Sequence, residues 1–99
     1  MENLQENQQS HTKRPQATNT DLIHRLSRVE GQVRGIKAMI DKGAYCDDVL
    51  TQISSVQSAM NSVAKILLKS HIETCIVPRL ADGENEAINE MLKSISRII

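Results

Sequence analysis

Neither tryptophan nor phenylalanine occurs in the 99 residues, and Tyr45 is the single aromatic side chain. Large rings therefore cannot fill a core, which leaves aliphatic helix seams as its material. Proline occurs twice and glycine four times, and apolar residues nowhere alternate by two, so the chain carries no strand signal. No apolar run approaches the roughly 18 residues of a membrane span, and the N-terminus lacks a charged start followed by an apolar core and a cleavage site. A cytoplasmic chain with reduced thiols and no membrane partner is expected. Its two cysteines then point to metal or redox chemistry more than to a disulfide. There are no paired carboxylates, no phosphate loop and no activated nucleophile besides the thiols, so neither an enzyme nor a small-molecule substrate is expected.

Formal net charge is zero, but the charge is unevenly placed. Residues 21–42 hold five basic and three acidic side chains, whereas residues 81–99 hold four acidic and two basic ones. A polyanion partner would meet the first helix.

One domain is all that this length allows. Residues 1–18 are polar and Gln- and Asn-rich, without periodic apolar positions, and read as a disordered tail in which His11 is solvated. Residues 19–99 read as one helical domain. Asn19 or Thr20 can cap a first helix with the seam Leu22, Leu26, Val29, Val33, Ile36 and Ile40, closed by Lys42 and a left-handed Gly43. A second helix runs from Tyr45 to Cys75 with the seam Val49, Ile53, Val56, Met60, Val63 and Leu67. Pro78 limits its regular hydrogen bonding, with a final bent turn as far as Leu80. After a turn at Asp82 and Gly83, Glu84 to Ile99 form the third helix.

Cys46, His71 and Cys75 are the one close set of soft metal-ligand residues. At about 100° per residue they fall within an arc of roughly 40° beside the second seam. His71 and Cys75 are one turn apart, but about 37 Å of continuous helix separates Cys46 from His71. One chain cannot close that site. An antiparallel second copy, crossing near Ala59 and Met60, brings each Cys46 to the other chain's His71 and Cys75. Two thiolates and one imidazole favour Cu(I), which accepts trigonal coordination, over Zn(II), which takes a fourth ligand in structural sites. The alternative is that each of these residues is simply a small core or hydrogen-bonded side chain.

On the first helix Arg25, Arg28 and Gln32 sit at the edge of the seam, flanked by Gly31 and Gly35. Interior glycines cost about 1 kcal/mol each relative to alanine, so close approach of a backbone or a phosphate chain is one reason for them. Lys65 and Lys69 could extend this basic surface from the second helix. An ordinary solvated face, with Glu30 and Asp41 as ion-pair partners, explains the same residues equally well. No helix-turn-helix, zinc-finger or RNA-binding signature accompanies them.

The run RLSRVEGQVRGIKAMI at 25–40, YC at 45–46, QISSVQSAM at 52–60 and HIETC at 71–75 together resemble the copper-sensing repressor (CsoR) family of bacterial transcription factors, over residues 21–99. The resemblance implies an all-α, three-helix protomer, an antiparallel dimer with a four-helix-bundle-like core, and a dimer of dimers, hence a homotetramer. It implies binding of double-stranded operator DNA by the apo-protein and release by Cu(I), which derepresses copper export. It makes Cys46 of one protomer and His71 and Cys75 of the other the Cu(I) ligands, with Tyr45 and Glu90 as outer partners of the liganded His. Arg25 and Lys65 match basic residues implicated in DNA binding, with Arg28 and Arg34 as additions. Nickel, cobalt and formaldehyde sensors of this likeness add a His near the start, and persulfide sensors lose the His of the ligand set. The presence of His71 favours copper, with a thiol or persulfide switch and a copper store as alternatives.

Overall fold

The computed structural model describes residues 13–99; His11 and most of the expected tail lie outside the described residues. The chain forms α1 (Gln16–Asp41), α2 (Cys46–His71), a π-helical turn (Ile72–Ile76), a short α3 (Val77–Ala81) and α4 (Glu86–Ile98). Among the described residues there is no strand. None of these helices is long and apolar enough to cross a membrane.

α1 begins at Gln16, three residues before the expected cap at Asn19. Pro15 supplies the start: at φ −58° and ψ 145° its carbonyl accepts the amides of Thr18 and Asn19 at 3.0 and 3.2 Å. The ring presets that φ and the missing N–H costs nothing at a helix start. Asn19 is not free to cap, because its side-chain oxygen accepts a hydrogen bond from Nε of Arg14 at 2.8 Å. At the other end Gly43 adopts φ 72°. The amides of Gly43 and Ala44 return to the carbonyls of Ile40 and Met39, the paired bonds of a Schellman stop. Gly83, at φ 83°, ends α3 in the same way, with the amides of Gly83 and Glu84 on the carbonyls of Leu80 and Arg79.

The second helix departs from the expected regular course to Cys75. α-helical bonding ends at His71, and the next five residues form a π turn before α3 resumes. Pro78 explains the interruption, since it has no amide to donate and its ring crowds the carbonyl four residues back, that of Thr74. A π turn shifts backbone partners by one residue, as the amide of Val77 shows by bonding to the carbonyl of Ile72.

α1 and α2 form an antiparallel hairpin, pinned near its middle by the side chain of Gln32 donating to Oγ of Ser55 at 3.4 Å. α4 folds back onto the far end of α2 and the π turn, where Ile76 and Ala87 are wholly buried. Few other apolar side chains are buried: Leu22, Val29, Val49 and Val63. Of the remaining seam positions, Ile36, Ile53 and Val56 are half-buried, whereas Leu26, Val33, Ile40, Met60 and Leu67 stay exposed, as do Leu50 on α2 and Ile88 and Leu92 on α4. Each such side chain forgoes part of the about 1.5–3 kcal/mol that full burial supplies. The protomer, 56 × 29 × 24 Å across, presents long apolar strips that nothing among the described residues covers.

Candidate metal centre

α2 places the three ligand candidates at its two ends. Cys46 is its first residue, exposed and with a free thiol. Tyr45 precedes it as the N-cap, with its carbonyl accepting the amides of Asp48 and Val49 and its side chain 74% exposed. His71 is the last residue of α2, and Cys75, half-buried and also free, lies in the π turn. Twenty-six residues of α2 carry no proline or glycine, so the rod is unbroken and about 37 Å separates its ends. Among the described residues no group of three His, Cys, Asp or Glu side chains comes close enough to hold an ion.

The His71 end is organised around α4. Nε2 of His71 lies 3.0 Å from Oε2 of Glu90. A carboxylate only accepts, so a hydrogen bond across this contact would come from Nε2 and leave the Nδ1 lone pair for coordination. On its other side Glu90 accepts a hydrogen bond from Arg79. That bond to the Arg79 guanidinium holds the Glu90 carboxyl below its ordinary range, against the opposing pull of partial burial. The same partner raises Arg79.

The π turn has its own hydrogen bond. Thr74 donates from Oγ1 to the carbonyl of Ser70 at 2.8 Å, and the same oxygen lies 3.6 Å from Sγ of Cys75. Thus the fold gathers His71, Cys75 and Glu90 at one end of the protomer and leaves Tyr45 and Cys46 at the other. The donor chemistry, two free thiols and one imidazole beside a carboxylate, is of the kind that suits a soft ion.

The basic residues are on the α1–α2 hairpin. From the Gln32–Ser55 contact, seven steps back along α1 reach Arg25 and seven forward along α2 reach Ser62, within one turn of Lys65. Arg25 and Lys65 therefore lie within about one helical turn of the same level. Arg25 is paired with Asp21 at 3.1 Å, not with Glu30 or Asp41. Arg28, Arg34 and Lys65 are exposed. Gly31 and Gly35 meet nothing within 4 Å of where a Cβ would stand, so no contact among the described residues requires them.

Sequence reasoning missed Arg79 and Thr74. On a uniform α-helix Arg79 points about 80° away from His71, and only the π turn brings both toward Glu90. Pro78 was the one signal that the phase would slip.

Residues 18–97 match the family of metal-sensitive transcriptional repressors. Over 87 residues the chain is 45% identical to the copper-sensing transcriptional repressor CsoR of Bacillus subtilis, covering 87% of this chain and 81% of that one. It is 49% identical over 74 residues to the copper-sensing transcriptional repressor RicR of Mycobacterium tuberculosis, covering 75% and 77%. Among solved structures, CsoR with Cu(I) from Geobacillus thermodenitrificans superposes with a TM-score of 0.80 at 33% identity, over 88% of this chain and 92% of that one. The nickel-responsive regulator InrS superposes with 0.73 at 31%, over 91% and 99%. One fold thus serves sensors of two metals, and the donor set has to distinguish them. The chain belongs to the metal-sensitive transcriptional repressors, the family of the copper-sensing repressor CsoR.

Proposed function

We propose that this chain is a cytoplasmic Cu(I)-responsive repressor, an antiparallel homodimer that pairs into a tetramer. It holds double-stranded operator DNA as apo-protein and releases it when Cys46 of one protomer and His71 and Cys75 of its partner take up Cu(I). The observation that carries this is the division of the ligands between the two ends of an unbroken helix. The relatives named as copper sensors agree with it. Cu(I) bound there supplies a soft cation shared by two thiolates and one imidazole.

The residues do the rest. Nδ1 of His71 turns toward the thiols while Nε2 stays on Glu90, so a shift of the ring at the end of α2 is felt in α4. Tyr45, next to Cys46, arrives at the same site from the other protomer. Arg25, Lys65, Arg28 and Arg34 hold phosphates, and their geometry must differ between the two states, because a ligand shifts an equilibrium only by its differential affinity. Copper-export genes are the controlled targets.

The test is fluorescence anisotropy under anaerobic conditions, with a duplex selected by the apo-protein from a random pool. One Cu(I) per protomer is expected to lower affinity by about 5- to 150-fold; retained affinity overturns the reading. Both thiols are free, which also admits a disulfide or persulfide switch between Cys46 and Cys75. His71→Ala separates the two, since it abolishes the copper response and leaves a sulfide response intact.

A further inference from the structure

The carboxylate of Glu90 is held from two sides. Its Oε2 lies 3.0 Å from Nε2 of His71, and its Oε1 accepts from Nη1 of Arg79 at 2.5 Å. The same guanidinium donates through Nε to Oε1 of Glu84 at 3.3 Å, in the connection between α3 and α4. A planar fork with separate donors spans two carboxylates in fixed directions, which the point charge of a lysine does not. One side chain therefore ties α3, the connection after it and α4 together, and meets His71 across the Glu90 carboxyl group.

Helix phase explains how this contact arises. His71 and Arg79 are eight residues apart, which on an uninterrupted α-helix leaves them about 80° out of register. The π turn between them adds the equivalent of one residue, a step of about 100°, and reduces the difference to about 20°. Both side chains then face α4. The interruption that Pro78 enforces is what aligns the proposed ligand with the arginine.

We propose that Arg79 is a positioning residue of the metal response: by holding Oε1 of Glu90 it fixes Oε2 on His71, and so transmits a movement of His71 into α4. Without the guanidinium, Glu90 is a partly exposed carboxylate that rotates freely about its side-chain bonds. His71 then loses the acceptor that sets its tautomer. The inference rests on the repressor reading above, in which a change at His71 must reach the rest of the molecule.

The test compares the full-length wild type with Arg79→Gln by two measurements. In the apo-protein, long-range proton–nitrogen correlation of the His71 imidazole is expected to show a single Nε2-protonated tautomer in the wild type and a mixture in the variant. In DNA anisotropy, the ratio of apo to Cu(I)-saturated affinity is expected to fall about tenfold in the variant, within the usual range of coupling between sites. Either quantity remaining at its wild-type value overturns the proposal. If Arg79→Gln does not fold, Arg79→Lys, which keeps the charge without the fork, is judged by the same two measurements. A wild type that keeps its DNA at saturating Cu(I) overturns the repressor reading instead, and the tautomer comparison still decides whether Arg79 positions Glu90.

Discussion

Ser70 is 6% exposed, and its hydroxyl oxygen is buried without a hydrogen-bond partner among the described residues, one residue before His71. Its carbonyl is better served, taking a hydrogen bond from Thr74 where the π turn redirects backbone partners. Burying an unpaired hydroxyl costs about 1–3 kcal/mol. Ser70→Ala removes that cost while leaving the helix and the Thr74 contact in place, so it should raise stability by about 1 kcal/mol in a urea titration. A loss of that size would mean that the hydroxyl finds a partner in the assembled protein. The contrast with the proposed ligands is instructive. Cys46, His71 and Cys75 stand out as candidates in the sequence because soft donors are rare in this chain and their helical spacing is simple arithmetic. Ser70 and Thr74 do not, because ordinary helix serine and threonine acquire a role only where the ladder is broken.

Among the elements, the ends marked by glycine were the most readable. Gly43 and Gly83 both take the left-handed conformation that a Schellman stop requires. The start of α1 was less so, since Pro15 and the Arg14–Asn19 hydrogen bond displaced the cap that Asn19 or Thr20 suggested. Pro78 foretold an irregular end to the second helix, but not that the irregularity would be a π turn carrying Cys75. Gly31 and Gly35 show what a protomer cannot explain. Both lie inside α1 with open space where a Cβ would go. Replacing either by alanine should therefore stabilise the apo-protein by about 0.5–1 kcal/mol through the lost backbone freedom of glycine. Chemical denaturation of the two single variants checks this. A fall in stability would place another protein chain against that face. Unchanged stability would mean that the propensity gain is offset at the surface.

The whole molecule is legible as incomplete. Exposed Leu26, Val33 and Ile40 on α1 and Met60 and Leu67 on α2 continue the same seams that bury Leu22, Val29, Val49 and Val63, with Leu50 beside them and Ile88 and Leu92 exposed on α4. A single chain covers only one side of each. The aliphatic composition that excluded an aromatic core thus leaves strips that suit further copies, and the proposed ligand positions point the same way. The proposed antiparallel pairing through α2 would answer both, covering the strip around Met60 and carrying each Cys46 to the far end of its partner. This can be tested by complementation. Cys46→Ala alone and the double variant His71→Ala, Cys75→Ala alone should each lack high-affinity Cu(I) sites. If the two are mixed, unfolded and refolded in equal amounts, about half of the dimers pair unlike chains, and each of those carries one intact site out of two. Titration with Cu(I) against a competing chelator should then recover about a quarter of the wild-type capacity. A site built within one chain predicts no recovery, since neither polypeptide holds all three ligands. Recovery of thiolate-to-copper absorption in the mixture, and in neither parent, would establish that the ligands are shared between protomers.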